Sequence, residues 1–264
     1  MKYKVLNCDL EDIQNIMLEM MADIDRVCQK HGIRYILDGG SMLGAIRHKG
    51  FIPWDDDLDI AMLRDDYIKF IKIANEELNE KYCFQCVENT KDYPYNFGKV
   101  FCKKTLFLEH FTAKLDICHG IYIDVFPMDY VDVMSPKRLL LAQKIVSKYT
   151  QARYIKLNIV KSSVIKTWIS RMLSIKFINS QCLNNMMYFY KKGNYVQKLC
   201  HYGENKPPVS ITLFTNTQRM PFEKYKFNIP CEYDSFLRGR YGDYMKLPPE
   251  GEQRPLHHII RVEI

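Results

Sequence analysis

The most informative segment of the sequence is residues 35–60, YILDGGSMLGAIRHKGFIPWDDDLDI. It combines a Gly-Gly-Ser turn, a basic Arg-His-Lys step and a run of aspartates. Its end predicts a strand over Asp57–Leu63, in which Asp57 and Asp59 share one face because side chains alternate along a strand. Two such carboxylates are roughly 6.5–7 Å apart, which suits joint binding of divalent cations. A bare Asp-x-Asp is more often a surface turn, but the glycine turn and the Pro-Trp step before it favour a metal site.

A glycine turn precedes this strand. Ile33–Leu37 is short and rich in β-favouring residues, so it predicts a first core strand. Gly39 and Gly40 then permit a tight turn with close backbone approach to a ligand, and Ser41 opens a helix whose free amides would hold a phosphate. An unoccupied strand-to-helix turn has the same sequence pattern, so the turn by itself leaves both interpretations open.

A third carboxylate lies in Gly120–Pro127, an apolar stretch that predicts a strand with Asp124 in its middle. A buried carboxylate is costly unless it is hydrogen-bonded or lies beside a cation. On a strand next to Asp57 and Asp59, Asp124 would complete a metal cluster or accept a proton from an attacking hydroxyl. A structural aspartate bonded to backbone amides is the alternative.

Two further motifs are ambiguous. Lys99 lies in the predicted strand Tyr95–Phe101, from which it would either reach a phosphate or extend along an exposed face. Cys83 and Cys86 match the C-x-x-C spacing, but no second pair follows at zinc-like spacing, so a metal role is disfavoured. Nine scattered cysteines favour free thiols in a reducing compartment.

Length and composition predict a globular protein. A chain of 264 residues can bury a proper core, and 47% hydrophobic with 26% charged residues is ordinary for a folded domain. No apolar run is long enough for a transmembrane helix, and the N-terminus reaches an acidic amphipathic helix before any secretory-type apolar core. We therefore expect a cytoplasmic protein.

The charge is unevenly distributed along the chain. Residues 133–203 contain 13 Lys or Arg and no Asp or Glu. Such a stretch would attract polyanions or an anionic membrane surface, although a solvated helical lobe with basic outer faces is equally compatible. Ser135 and Pro136 mark the start of two or three predicted helices in it.

Four blocks of sequence carry a resemblance to a known family. They are LDGGSMLGAIRHKGFIPWDDDLDIAM (Leu37–Met62), YNFGKVF (Tyr95–Phe101), GIYIDVFPMD (Gly120–Asp129) and YGDYMKLPPEGEQRPLHH (Tyr241–His258). Together they resemble the LicD family, bacterial phosphocholine transferases of the nucleotidyltransferase fold that also resemble fukutin-type ribitol-phosphate transferases. The blocks run in family order across most of the chain, and the helical middle lies outside them.

The resemblance implies an α+β fold, with a nucleotidyltransferase-like mixed β-sheet core flanked by helices and a basic helical lobe. We expect the catalytic core in residues 1–132 and the basic helical lobe in residues 133–206. The remaining segment, residues 207–264, is expected to pack back on the core.

The resemblance also implies a metal-dependent phosphotransferase. It would move phosphocholine, or a similar phospho-alcohol, from CDP-choline or another CDP-alcohol to a hydroxyl of a cell-surface glycan or its lipid-linked precursor, releasing CMP. By motif, Asp57 and Asp59 look like ligands of Mg²⁺ or Mn²⁺, and Asp124 looks like the third carboxylate and candidate base. The long gap between Gly40 and the Asp-x-Asp pair is typical of this family.

Other residues near these motifs are candidate substrate contacts. The candidates for the donor phosphates are Gly39, Gly40, Ser41, Arg47 and Lys99. The quaternary ammonium of choline would bind best in a cage of aromatic rings. The aromatic residues near the motifs are Trp54, Tyr93, Tyr95 and Tyr122. In the RPLHH motif the roles of Arg254 and His257 stay open, while Asp55 and Asp56 are expected to shape the turn.

Two other functions are compatible with the sequence. A nucleotidyltransferase that adds a nucleoside monophosphate to a small molecule or RNA end would release pyrophosphate rather than CMP. A membrane- or glycan-binding module on a degenerate fold would use the basic helices, although the intact carboxylate set argues against it. No motif that reads RNA or DNA accompanies the basic stretch, so we expect no specific nucleic acid. A peripheral contact at the inner face of the membrane through the basic lobe is a further expectation.

Overall fold

The computed structural model describes residues 3–191, 193–200 and 207–264. The strands are β1 (Lys4–Val5), β2 (Cys8–Asp9), β3 (Ile36–Leu37), β4 (Asp59–Leu63), β5 (Tyr82–Gln85), β6 (Gly98–Cys102), β7 (Leu106–Glu109), β8 (Tyr122–Val131), β9 (Tyr195–Gln197), β10 (Val209–Ser210), β11 (Thr217–Phe222), β12 (Tyr225–Pro230) and β13 (Ile259–Glu263). The helices are α1 (Leu10–Lys30), α2 (Gly39–Arg47), α3 (Arg64–Glu77), α4 (Pro136–Lys156), α5 (Val164–Met172), α6 (Ile175–Met186), α7 (Thr212–Thr215) and α8 (Tyr233–Tyr241), with a 3₁₀ turn at Glu250–Glu252.

The central sheet has the strand order β10-β9-β8-β4-β3, with β6 also pairing with β8, and β5 with β6. The pairing of β4 with β8 is parallel, whereas the other described pairs of this sheet are antiparallel. The long β8 lies at its centre because β4, β6 and β9 all pair with it. A mixed sheet flanked by helices confirms the α+β class.

Helix α1 closes one side of the core. Its apolar residues recur at helical spacing, and Ile13, Met20, Ile24 and Val27 have no measurable solvent exposure. The acidic amphipathic helix expected near the N-terminus is therefore confirmed, since apolar residues at this spacing form one continuous buried stripe.

The strand predicted over Asp57–Leu63 begins two residues later, at Asp59, so the prediction was wrong for Asp57. The parallel ladder starts where the Asp124 amide donates to the Leu58 carbonyl at 3.1 Å. Upstream of that point the chain is held by other contacts, because the Asp56 carboxylate accepts from the amides of the C-terminal segment. Asp57 consequently lies in irregular backbone just before the strand.

The strand predicted over Tyr95–Phe101 is also shorter, because β6 begins at Gly98. The preceding residues bind the helical lobe instead of a neighbouring strand. Arg153 of α4 is fully buried and donates to the carbonyls of Pro94 and Tyr95 and to Asn96 Oδ1. This buried arginine fastens α4 to the core.

The helices α4, α5 and α6 form the basic lobe, and the chain then returns to the central sheet through β9. The strand β9 lies within the range 133–206 that was predicted to be helical, but it pairs with β8. The predicted segment boundaries stay predictions.

No described helix is both long and apolar enough to cross a membrane.

The C-terminal part contacts the core at several places. Strands β11 and β12 form a hairpin, and Arg219 in it pairs with the buried Asp25 of α1. Strand β13 pairs with β7, and α8 places Arg240 beside the central sheet. Through Arg240 the C-terminal part reaches Asp38, whose amide bonds to the Asp59 carbonyl at the start of β4.

Candidate active site

Asp59 and Asp124 are register partners across the parallel strands β4 and β8. Register partners point to the same side of a sheet, so the two carboxylates share one face. The Ser41 hydroxyl accepts a hydrogen bond from the Asp59 amide at 2.8 Å, which joins the start of α2 to the start of β4. Within the described part of the chain, the buried Asp59 Oδ1 atom has no hydrogen-bond partner.

Negative charge is crowded around this pair. Burial, followed by the charges of Asp57 and Asp124, raises the pKa of Asp59 well above its usual range. Burial and the neighbouring Asp55 likewise raise the pKa of Asp57. Carboxylates packed this closely resist ionisation unless a cation balances them.

The carboxylate oxygens of Asp57, Asp59 and Asp124 are ligands of the type that Mg²⁺ or Mn²⁺ prefers. Among the residues that the structure describes, no three His, Cys, Asp or Glu side chains form a ready-made metal site. Mg²⁺, however, is commonly held by one or two carboxylates together with waters and substrate phosphates, and it prefers oxygen ligands. The unpaired oxygen of Asp59, flanked by Asp57 and Asp124, provides such ligands.

The glycine turn lies against the same carboxylates. Gly39 has φ +56°, and a Cβ atom on it would lie 3.2 Å from Asp59 Oδ2. A Cβ atom on Gly40 would lie only 2.6 Å from Asp55 Oδ2. The amides of Ser41 and Met42 donate to the Asp38 carbonyl, so they are part of the helix start and are already hydrogen-bonded.

Asp55 belongs to the site, although its position in the sequence suggested only a turn. Burial, and then the charges of Asp59 and Asp56, raise its pKa to about 7, while a hydrogen bond with Asp57 opposes the increase. Its carboxylate packs against the Gly40 backbone, where a Cβ atom would lie. The only sequence signal for this role is that Asp55 belongs to the same acidic run.

Lys99 is paired with Asp124. Its Nζ atom lies 2.8 Å from Asp124 Oδ1, and both side chains are largely buried. The same ammonium lies 3.3 Å from the ring centroid of Tyr122 and 4.9 Å from that of Tyr95. Two of the rings considered for a choline cage therefore contact a lysine of the protein itself.

The other candidate aromatic residues lie in different surroundings. Trp54 packs against Tyr3 and His48, with ring centroids 6.1 Å away in each case. Tyr93 is buried and contacts Tyr95 edge-on. The described ring contacts thus do not join the four candidates into one cage.

The C-terminal RPLHH motif reaches the acidic run. Asp56 accepts from His257 Nδ1 at 3.0 Å and from the amides of Leu256 and His257 at 3.3 Å. His257 Nε2 lies 4.0 Å from Asp57 Oδ2. Burial lowers the pKa of His257, but the bond to Asp56 and the charge of Asp57 outweigh it and raise the pKa to about 9. The structure therefore brings His257 into the site, whereas Arg254 is exposed.

Arg47 points at backbone carbonyls. Its Nη1 atom donates to the carbonyls of Tyr244, at 2.9 Å, and Lys246, and its Nε atom donates to His48. These bonds hold the C-terminal turn against α2. They engage the Nε and Nη1 donors of Arg47, and its role as a phosphate ligand stays a prediction.

A buried ion cluster on the other side of the glycine turn was missed from the sequence. Asp38 pairs with Lys198 at 2.5 Å and with Arg240 at 3.1 Å, and its amide donates to the Asp59 carbonyl. Burial raises the pKa of Asp38, but the two cations outweigh it and lower the pKa overall. Lys198 lies in the basic stretch of residues 133–203, far along the chain from Asp38, so no local pattern indicates this pairing.

A cavity of about 370 Å³ opens beside this cluster. Asp38, Lys198 and Arg240 line one part of it, and the rest is lined by apolar side chains that include Met128 and Phe236 together with polar ones that include Glu232. Cations beside apolar walls suit an organic phosphate. The cavity is next to the glycine turn because Asp38 directly precedes Gly39.

Comparisons with known proteins identify the family that the sequence matches. Residues 32–161 match the family described as LicD/FKTN/FKRP, nucleotidyltransferase domain. The chain is 31% identical over 269 aligned residues to the lipopolysaccharide cholinephosphotransferase LicD of Haemophilus influenzae. The alignment covers 95% of this chain and 96% of that protein. A segment of 40 residues is 50% identical to the ribitol 5-phosphate transferase FKRP of Homo sapiens, covering 15% of this chain and 8% of that protein.

Proposed function

This chain belongs to the LicD family, and we propose that it transfers phosphocholine, or a similar phospho-alcohol, from a CDP-activated donor to a glycan hydroxyl. The observation that carries the proposal is the pairing of Asp59 with Asp124 against the glycine turn. The relatives support the substrate class, since one is named as a cholinephosphotransferase and another as a ribitol 5-phosphate transferase. The acceptor would be a cell-surface glycan or its lipid-linked precursor, and CMP would be released.

Asp57, Asp59 and Asp124 would hold Mg²⁺ or Mn²⁺. When bound, the ion would neutralise the donor diphosphate and the charge that develops during phosphoryl transfer. The crowding of carboxylates supports this role, because their ionised forms need a balancing cation. Lys198 adds a second positive charge near Asp59.

The protein's own groups would position the two substrates. The cavity beside Asp38, Lys198 and Arg240 would take an organic phosphate, and the glycine turn lets a ligand approach the backbone closely. Asp124 is the candidate base for the acceptor hydroxyl. Its Oδ1 atom lies 2.8 Å from Lys99 Nζ, and this ion pair fixes the position of the carboxylate.

The protonated His257 would hold the acidic run in place. It lies between Asp56 and Asp57, and it would position Asp57 without touching the reacting atoms. A lipid-linked acceptor would bring the enzyme to the inner face of the membrane as a peripheral protein.

The test is an assay with purified protein, Mg²⁺ and a panel of CDP-alcohols. CMP release is measured with and without an extract of lipid-linked glycan. We expect release with one alcohol, dependent on the acceptor and abolished by EDTA. Full activity in excess EDTA would contradict the proposal. Release of pyrophosphate from a nucleoside triphosphate, with the nucleotide kept on the product, would indicate a nucleotidyltransferase instead. Metal-independent glycan binding without turnover would indicate a binding module.

A further inference from the structure

Helix α5 displays its apolar side chains to solvent. Ser163 caps its start by accepting from the Lys166 amide, and the helix runs from Val164 to Met172. Its five apolar side chains are half-exposed or more: Val164 85%, Ile165 72%, Trp168 64%, Ile169 49% and Met172 69%. A helix of a globular protein normally turns such residues towards the core.

These five side chains form one continuous face. At about 100° per residue they fall within an arc of roughly 140° on the helix surface. The opposite side carries Thr167 and Ser170, of which Ser170 is buried. Lys156 of α4 donates to the Arg171 carbonyl at 2.9 Å. The helix is therefore attached to the lobe by its small polar side, and its apolar face points outwards.

Basic residues border this apolar face. Lys166 and Arg171 lie on its two edges by the same helical geometry, and both are exposed. Lys161 and Lys176, just before and after the helix, are exposed as well. No acidic residue occurs anywhere in residues 133–203. The surface thus combines an apolar centre with a border in which every charged residue is basic.

We propose that α5 docks on an anionic phospholipid bilayer. Its apolar face would enter the boundary between headgroups and acyl chains, and Lys166 and Arg171 would lie at the level of the lipid phosphates. An interfacial helix with an apolar face and a basic polar face has this pattern. At nine residues, α5 is far too short to span a bilayer, so it would lie in the interface plane.

The charge pattern favours a bilayer over other occupants. Nucleic acid would bind the cations and leave the five apolar side chains in water. A second copy that docked symmetrically through the same face would bring an equally basic lobe against this one, and the like charges would repel. An anionic bilayer supplies both an apolar layer and negative headgroups.

Vesicle sedimentation tests the proposal on the full chain. Vesicles of phosphatidylcholine are compared with vesicles that also contain about one-third phosphatidylglycerol. We expect the protein to sediment with the anionic vesicles and to be released by high salt. Trp168 should shift its fluorescence to shorter wavelength on binding, and Trp168→Phe should remove that shift, because the sequence contains only one other tryptophan.

The decisive variant is Ile165→Ser combined with Ile169→Ser. Both side chains are exposed, so the fold should survive, which circular dichroism and thermal melting would verify. We expect its partition into anionic vesicles to fall about tenfold or more. The matched control is Leu140→Ser with Leu141→Ser, two exposed apolar residues at the far end of α4, which should bind as wild type does.

Three results would overturn the proposal. They are wild-type protein that stays in the supernatant with anionic vesicles, equal loss of binding in the two double variants, and a vesicle-independent dimer that Ile165→Ser with Ile169→Ser dissociates. The last result would assign the face to a second copy. CMP release from a soluble CDP-alcohol does not enter this test, so its outcome is independent of the proposed transferase activity.

Discussion

Asp59 lies directly opposite Asp124 because β4 and β8 pair in parallel with these two residues in register. The Leu58 carbonyl starts the ladder by accepting from the Asp124 amide, and Ser41 holds the Asp59 amide from the other side. One backbone–backbone bond and one bond from a backbone amide to the Ser41 hydroxyl thus hold the two carboxylates together, although their charges repel. Such an arrangement lowers the stability of the folded protein, and proteins retain arrangements of this kind mainly at functional sites.

Asp59→Asn should lower the rate of CMP release at least about a hundredfold while the protein stays folded. Without added metal its melting temperature should equal or exceed that of wild type, because the amide relieves repulsion from Asp57 and Asp124. Mg²⁺ should raise the melting temperature of wild type but not of the variant. Asp116→Asn, a change at an exposed aspartate away from the sheet, is the control and should behave as wild type.

Gly40→Ala should lower kcat/KM about tenfold or more, which corresponds to about 1.4 kcal/mol. The added Cβ atom would lie 2.6 Å from Asp55 Oδ2, so either the turn or the carboxylate must move. Gly251→Ala is the matched control, since a Cβ atom there meets nothing within 4 Å. Equal activity in the two variants would show that the turn tolerates displacement and is not part of the site.

Asp129→Ala should destabilise the protein by about 3–5 kcal/mol, because it leaves the buried Arg64 guanidinium without its partner. The two groups form a bidentate pair at 2.7 and 2.9 Å, with both side chains almost fully buried. Urea unfolding measures the change. Arg238→Ala, which breaks an exposed pair with Asp234, should leave the midpoint nearly unchanged.

The stability contributed by His257 should disappear at high pH. Its folded pKa of about 9 lies above the ordinary value of about 6.5. The contribution is therefore fully present below about pH 6.5 and is lost as pH rises through about 9, where the folded protein also deprotonates. The partly exposed side chain suggests a magnitude on the order of 1–2 kcal/mol.

Urea unfolding in metal-free buffer at pH 6 and pH 9.5 measures this contribution. The difference in unfolding free energy between wild type and His257→Gln should shrink at the higher pH. His258→Gln, at the exposed neighbouring histidine, should follow wild type at both values. A constant difference for His257→Gln would indicate that its pairing with Asp56 and Asp57 does not depend on protonation.

Local patterns were sufficient for much of the fold. The spacing of Ile13, Met20, Ile24 and Val27 predicts α1 because helical side chains repeat every 3.6 residues, and burial of one stripe follows from that repeat. The glycine turn was recognisable because Gly39 and Gly40 tolerate approaches that a Cβ atom would block. The motif blocks also led to the correct family.

Tertiary structure decided how the charged residues are partnered. From the sequence, Lys99 could equally bind a phosphate or extend into solvent. In the structure, the register of β6 and β8 pairs it with Asp124. Asp56 was expected to shape a turn, and it also binds the backbone of Leu256 and His257, some 200 residues later.

The sequence by itself determined the glycine turn and the strands that carry Asp59 and Asp124, because turns and strand propensity depend on neighbouring residues. It did not determine the irregular backbone at Asp57. It did not determine the surroundings of Asp38, which are Lys198 from the end of β9 and Arg240 from α8. Only folding brings these segments together, since a buried charge takes whichever opposite charge the packing of distant elements places within reach.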